Sequence, residues 1–411
     1  MNIKNISISD FNYSLSETSI AKYPLHQRDD SKLLLYKKRK ISTEVFKNIS
    51  DYLPNNSLLI FNNTKVIEAR IKFQKSTGGG IEIFCLEPDE RYANISSAMQ
   101  QTKKIYWKCL IGGASKWKHG QILTREITIN DQSIILSASF IEKISECFII
   151  QFSWSPENLS FAEIIHHFGT IPLPPYIKRE VENEDAERYQ TIFAMQNGSV
   201  AAPTAGLHFT ESIFEKLSQK NIRQEFITLH VGAGTFKPVK TETISNHEMH
   251  AEFIEVHQTT INNIINNLEK NIITVGTTSL RTIESLYWLG LKTILFSPTN
   301  LEDLTITQWD AYELPSDKIS VKESLQSLIV WMQKNNLNKI ITKTQLLIAP
   351  SYQFKIVNTL ITNFHQPKST LLLLAAAFIG DDWKKVYDFA LQNDFRFLSY
   401  GDACLLFRDN S

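Results

Sequence analysis

Little in this 411-residue sequence is extreme, and each scarcity removes a class of protein. Its 43 basic and 43 acidic side chains cancel, which excludes a histone-like polycation and the acidic bias of a disordered tail. The four cysteines, Cys85, Cys109, Cys147 and Cys404, lie too far apart for a zinc knuckle or a C-x-x-C pair. With no signal peptide at Met1-Asn2-Ile3-Lys4, they predict reduced thiols in a cytoplasmic protein. Only 15 glycines and 13 prolines argue against long flexible linkers. The longest strongly apolar run, Leu371 to Ile379, is about half of the ~20 residues that span a bilayer, so it predicts a buried helix and no membrane partner. There is no fixed-period repeat and no low-complexity segment.

What is present is a globular composition, 43% hydrophobic and 21% charged, long enough for two large domains at ~150 residues each. From Ala69 to Trp154 short β-branched and aromatic runs alternate with turn signals: Ile81 to Leu86, Lys104 to Ile111, Ile122 to Ile129, Ser133 to Ile141 and Cys147 to Trp154. Closely spaced strands without a helical pattern predict a small all-β unit, barrel-like. A strand is also expected at Ser57 to Phe61. After Trp154 strands alternate with helices: Phe226 to Val231, Ile272 to Val275 before a helix from Leu280, and Lys355 to Thr362 before the Leu371 helix. That alternation predicts an α/β fold with a mostly parallel sheet. The expected architecture is a discontinuous α/β domain, residues 1–68 and 155–411, carrying an inserted β-barrel-like domain at 69–154.

Ligands of open α/β sheets bind beyond the carboxyl ends of the strands, where helix N-termini offer free N–H groups to anions. Thr277, Thr278 and Ser279 stand at such a junction, either as helix caps or as anion donors. Pro367-Lys368-Ser369-Thr370 repeats the arrangement with a lysine. Neither has Walker A glycines, and Gly232-Ala233-Gly234 lacks the third glycine of a dinucleotide fingerprint. His247-Glu248-Met249-His250 places histidines at i and i+3, one residue short of a metalloprotease helix and without an evident third ligand; an acid–base or substrate-contact role is the alternative, and no metal is expected. Lys103, Lys104, Lys108, Lys116 and Lys118, interleaved with Tyr106, Trp107 and Trp117 and with no acid among them, suit RNA phosphates and bases or form a solvated strand face.

Longer blocks are more specific. They include Ile171-Pro172-Leu173-Pro174-Pro175-Tyr176-Ile177-Lys178-Arg179, Ala201-Ala202-Pro203-Thr204-Ala205-Gly206-Leu207-His208-Phe209-Thr210, and Thr228-Leu229-His230-Val231-Gly232-Ala233-Gly234. Gly276-Thr277-Thr278-Ser279-Leu280-Arg281-Thr282, Asn363-Phe364-His365-Gln366-Pro367-Lys368-Ser369-Thr370 and Ser399-Tyr400-Gly401-Asp402-Ala403 continue the series. Over nearly its whole length the chain resembles the S-adenosylmethionine:tRNA ribosyltransferase-isomerase family of queuosine biosynthesis. The resemblance implies that S-adenosylmethionine donates its ribosyl group, as co-substrate, to a deazaguanine base at the tRNA wobble position, by a monomeric enzyme. It places catalytic candidates at His208, His230, His247 and His250. Substrate contacts are expected from Thr204, Gly206, Gly232, Gly234, Thr277, Thr278, Ser279, Arg281, His365, Lys368, Ser369, Tyr400 and Asp402, with Arg281 or Lys368 clamping the methionine carboxylate. Lys178 and Arg179 join the lysine stretch as RNA contacts. Two other readings stand beside it: a diverged S-adenosylmethionine-dependent ribosyl transferase with another acceptor, and a non-catalytic RNA-binding relative.

Overall fold

The computed structural model describes residues 3–75, 78–232, 239 and 241–408. Its main sheet has nine strands, in the order Lys339–Thr344, Glu252–His257, Arg223–Leu229, Leu58–Asn62, Ile272–Val275, Thr359–Asn363, Ala403–Phe407, Lys32–Lys37, Lys40–Val45. Leu58 and Ile60 face one core, with the helices Thr277–Leu295, Val321–Lys334 and Thr370–Ile379, whereas Leu59 and Phe61 face another with Phe209, Ile213 and Leu217. Both faces are buried, which is why the central strands read as continuous apolar runs rather than alternating ones.

The sheet is mixed, not mostly parallel. Arg223–Leu229, Leu58–Asn62, Ile272–Val275 and Thr359–Asn363 run parallel to one another, as do Lys32–Lys37 and Ala403–Phe407. The other neighbours are antiparallel. Connections explain the departure. Between Thr359–Asn363 and Ala403–Phe407 lie two helices, Thr370–Ile379 and Trp383–Gln392, which return the chain to the end it left, and Lys32–Lys37 and Lys40–Val45 form a hairpin. The strand expected from Lys355 begins only at Thr359, because the buried Glu284 carboxylate accepts the N–H groups of Lys355, Ile356 and Val357.

The second sheet is entirely antiparallel, ordered Gly169–Thr170, Arg70–Gln74, Gly80–Pro88, Lys104–Gly112, Cys147–Ser155, Gln132–Ile144, Ile122–Ile129. It curls into a half-barrel rather than closing as a barrel: no ladder joins Arg70–Gln74 to Ile122–Ile129 among the described residues. Arg125 spans the seam instead, donating to the carbonyls of Lys72 (3.3 Å) and Phe168 (2.9 Å). Its core extends past residue 154 into the helix Phe161–Phe168, started by a Ser160/Glu163 capping box and packed on Trp107, Phe152 and Trp154. Gly169 follows that helix where any Cβ would stand 1.7 Å from the Glu68 carbonyl oxygen, so only glycine lets the two sheets' connections meet here.

Candidate active site

The four parallel strands end together, and their loops enclose a cleft of about 720 Å3, open to solvent. Thr204, Val231, Gly276, Thr277, Thr278, Thr362, Asn363, His365, Ser369, Tyr176 and Ser399 are among its walls. This is where an open α/β sheet places ligands.

The turn from Ile272–Val275 into Thr277–Leu295 requires Gly276, whose φ is +89°. Gly276 is also the N-cap, so no side chain caps this helix. Thr277 and Thr278 are therefore not caps, and the first N–H groups of the helix face the cleft with the positive end of its dipole. Thr278 Oγ1 accepts from Asn62 Nδ2 at 3.3 Å, while Ser279, fully buried, donates back to the Val275 carbonyl and does not reach the cleft. Ser369, in contrast, is a true cap: its Oγ accepts the Leu372 N–H and donates to the Gln366 carbonyl while lining the cleft. Lys368 beside it is exposed and outside the lining.

One turn into the uncapped helix, Arg281 is 7% exposed. Its Nη1 donates to Glu252 Oε2 at 2.5 Å, and Glu252 Oε1 accepts from the Gly232 N–H at 3.4 Å. Its Nε and Nη2 are buried without a hydrogen-bond partner among the described residues. Those two donors form one edge of the guanidinium fork, the edge that matches a carboxylate. A buried donor left unmet costs roughly 1–3 kcal/mol, more for a charged group, so this edge is preorganised for an acceptor.

The histidines separate by position. His365 lines the cleft, with Nε2 2.9 Å from Thr362 Oγ1, its N–H donating to Tyr387 Oη and its carbonyl accepting from Tyr13. Burial alone drives its pKa down to about 3, so the ring is neutral near pH 7. His208 has both ring nitrogens engaged, Nδ1 by Ser31 Oγ (2.9 Å) and the Arg28 carbonyl (3.3 Å), and Nε2 by Asn363 Nδ2 (3.2 Å). It is held neutral by burial, with a pKa of about 4, and sits behind Asn363, whose Oδ1 accepts from Thr204 Oγ1 at 2.8 Å. His230 stands off the cleft, against Gly198 and near Thr64 Oγ1 (3.4 Å), its pKa lowered to about 4 chiefly by burial. His247 and His250 occupy an irregular stretch, not a helix; His247 is half-buried and its pKa lowered by burial and by His250, which is exposed. No group of three metal-ligating side chains gathers among the described residues.

Other expected residues lie elsewhere. Gly206 packs on Phe193 and Thr191. Asp402 accepts from Lys32 N, Arg396 N and Arg396 Nη2, and Tyr400 donates to Asp185 Oδ1. Gly234 falls outside the described residues. Asn363, Thr362, Tyr176 and Ser399 line the cleft but escaped the residue-type argument; their signal was only adjacency to the strand end and the Pro-rich block. The Tyr176 hydroxyl is 2.7 Å from Ser399 Oγ, and burial pushes its pKa up to about 12.

The basic stretch is not one patch. Lys104 and Gly112 bound a single strand, so Lys103 and Lys104 stand roughly 26 Å from the Lys116 end at ~3.3 Å per residue. Lys103 pairs with Glu157 (3.0 Å) and Lys108 with Glu87 (2.8 Å). Trp107 and Trp117 point into the core, and Tyr106 is covered by Arg91 at 4.1 Å. Lys178 is paired with Glu17, and Arg179 is locked bidentately on Asp185 at 2.7 Å.

A family model described as Queuosine biosynthesis protein matches residues 8–406. The S-adenosylmethionine:tRNA ribosyltransferase-isomerase of Rickettsia bellii is 38% identical over 408 residues, covering 98% of this chain and 99% of that protein. Proteins of the same name from Sulfurihydrogenibium sp. and Thermosipho melanesiensis are 37% and 36% identical, each over 98% of this chain and 100% of their own length. A crystal structure of the S-adenosylmethionine tRNA ribosyltransferase of Thermotoga maritima is 28% identical, covers 97% of this chain and 100% of that one, and superposes with a TM-score of 0.45.

Proposed function

We propose, for a chain that belongs to the queuosine biosynthesis protein family, the reaction of an S-adenosylmethionine:tRNA ribosyltransferase-isomerase. The ribosyl moiety of S-adenosylmethionine passes to the aminomethyl group of 7-aminomethyl-7-deazaguanine at the tRNA wobble position and is rearranged to the epoxycyclopentane of epoxyqueuosine. Adenine and methionine leave. The sulfonium becomes a neutral thioether as the carbon–sulfur bond breaks, and the charge it loses departs as one proton. Full-length identity of 36–38% to three proteins of that name supports this over another acceptor or a silent relative.

The observation that carries the donor site is the unpartnered edge of Arg281 beside an uncapped helix N-terminus. The methionine carboxylate seats there, on Nε and Nη2, with Thr277 and Thr278 alongside. Burial makes His365 a weaker base than free imidazole, so taking a proton from the 5′ carbon depends on the acidity that the sulfonium gives that carbon. Of the buried histidines, His365 lines the cleft and has its Nδ1 uncommitted among the described residues; His208 acts behind it, as a positioning residue for Asn363.

The test is mass spectrometry after incubating the protein with S-adenosylmethionine and tRNA bearing the deazaguanine precursor. Epoxyqueuosine, adenine and methionine are expected in equal amounts. Adenine without modified tRNA would point to another acceptor, and no consumption of S-adenosylmethionine to a non-catalytic relative.

A further inference from the structure

A second, smaller pocket, open to solvent, adjoins the cleft through Ser399. Arg28, Arg188 and Arg396 converge on it, together with His208 and Tyr400, and no carboxylate lines it among the described residues. The guanidiniums come from three separate segments. Arg28 Nη1 donates to the Gln190 carbonyl at 3.1 Å, Arg188 to the carbonyls of Leu25 and His26, and Arg396 Nη2 to Asp402 Oδ1 at 2.8 Å. Each guanidinium carries five donors, so most of theirs remain open to solvent or a ligand. Asp402, already shared with the backbone of Lys32 and Arg396, offsets one positive charge of the three. His208 is neutral with both nitrogens committed, and the Tyr400 hydroxyl points its proton at Asp185.

Stapling three segments through carbonyls needs donors, not charge. Neutral amides would serve, and they would avoid burying a charge and setting Arg28 beside Arg188, which lower the Arg28 pKa against the opposing pull of Glu187 and Asp29. Asp402 meets Arg396, and Glu187 and Asp29 partly offset Arg28, but no carboxylate lines the pocket itself among the described residues, and guanidiniums converging on such a space suit an oxyanion.

We propose that this cavity holds a phosphodiester flanking the wobble nucleotide while its base occupies the neighbouring cleft. The assignment rests on the tRNA reading above. A base that enters the cleft must leave its stack and carries its backbone to the rim, where the wall between the two spaces is thin: Asn363 faces the cleft and its Nδ2 meets His208 on the other side. The carboxylate of S-adenosylmethionine is the other anion in the reaction, but Arg281 provides its seat on the far helix.

The experiment is a cycle between arginine and phosphate. An anticodon stem-loop carrying the precursor base is made with natural linkages, and again with an uncharged methylphosphonate on the 5′ or the 3′ side of that nucleotide. Binding is measured against salt for the wild-type protein and for Arg28→Gln and Arg188→Gln, and S-adenosylmethionine affinity is measured separately. One methylphosphonate position is expected to reduce the wild-type log–log slope by ~0.7 and to change nothing further in the arginine variants. S-adenosylmethionine affinity should stay within about twofold. Should a variant fail to fold, the wild-type comparison of the RNAs decides alone. Equal slopes for all RNAs, or a variant that loses S-adenosylmethionine instead, would overturn the proposal. Absence of turnover by the wild type on the natural stem-loop would instead count against the reaction itself.

Discussion

The cleft at the ends of the parallel strands and the outer face of the antiparallel half-barrel treat charge in opposite ways. Around the cleft, the buried Arg281 keeps two donors without a partner among the described residues, and His365 in its wall and His208 behind it are held neutral by burial. On the half-barrel, lysines that look like a binding patch in sequence are dispersed along a strand, two of them already matched to glutamates. Density of charge along a strand and unmet donors in a buried place are different things, and the fold keeps them apart.

The comparison breaks first at His365. Replacing it by asparagine is expected to lower turnover by ~100- to 10,000-fold while S-adenosylmethionine still binds, as read by single-turnover adenine release and calorimetry. The same substitution at His208 should act mainly on stability, since His208 bonds to protein on both nitrogens; an equal fall in turnover there would move the proton-transfer role behind Asn363.

A smaller effect is expected at the fork. Arg281→Lys keeps a charge for Glu252 but loses the Nε–Nη2 edge, so S-adenosylmethionine should bind ~10- to 100-fold more weakly, the equivalent of about 1.5–3 kcal/mol for a charged hydrogen bond. An unchanged dissociation constant would place the carboxylate elsewhere.

The neutral histidines also set a pH signature. His208, His230 and His365 have folded pKa values of about 4, 4 and 3, below the ~6.5 of an unfolded chain. Above pH 6.5 neither state binds these protons and their contribution is fully present. As pH falls, the unfolded chain takes them up first, so stability drops by about 1.4 kcal/mol per pH unit for each histidine until the folded values are reached. Urea midpoints at pH 7.5 and 5.5 check this, and His365→Asn should flatten the slope.

The smallest effect concerns the half-barrel. Lys104→Ala and Lys118→Ala should each lower the salt slope of tRNA binding by no more than ~0.7–0.9, and Lys103→Ala and Lys108→Ala by less, because Glu157 and Glu87 already offset those charges. Equal losses at all four would restore a continuous RNA face.

Much of this was legible from local chemistry. The strand at Ile272–Val275, the hairpin-rich stretch before Trp154 and the Leu371 helix all follow from short-range periodicity. Thr277, Thr278 and Ser369 line the cleft as their strand-to-helix junctions suggest, and so do Thr204 and His365, which the resemblance had singled out. Strand direction was not legible, because it depends on the end of the sheet to which each connection returns the chain. Nor was the failure of the second sheet to close into a barrel, whose seam is spanned by Arg125 reaching the carbonyls of Lys72 and Phe168.

What the sequence determined by itself was therefore the kinds of elements, the junctions that present ligand-binding loops, and the blocks that mark the family. Which polar group remains free was decided only in three dimensions. Arg179 and Arg281 are alike in sequence, each an arginine in a marked block. The fold brings Asp185 across both terminal nitrogens of the first, but among the described residues gives the second one oxygen of Glu252, at a single nitrogen, leaving an edge that burial makes costly to leave empty.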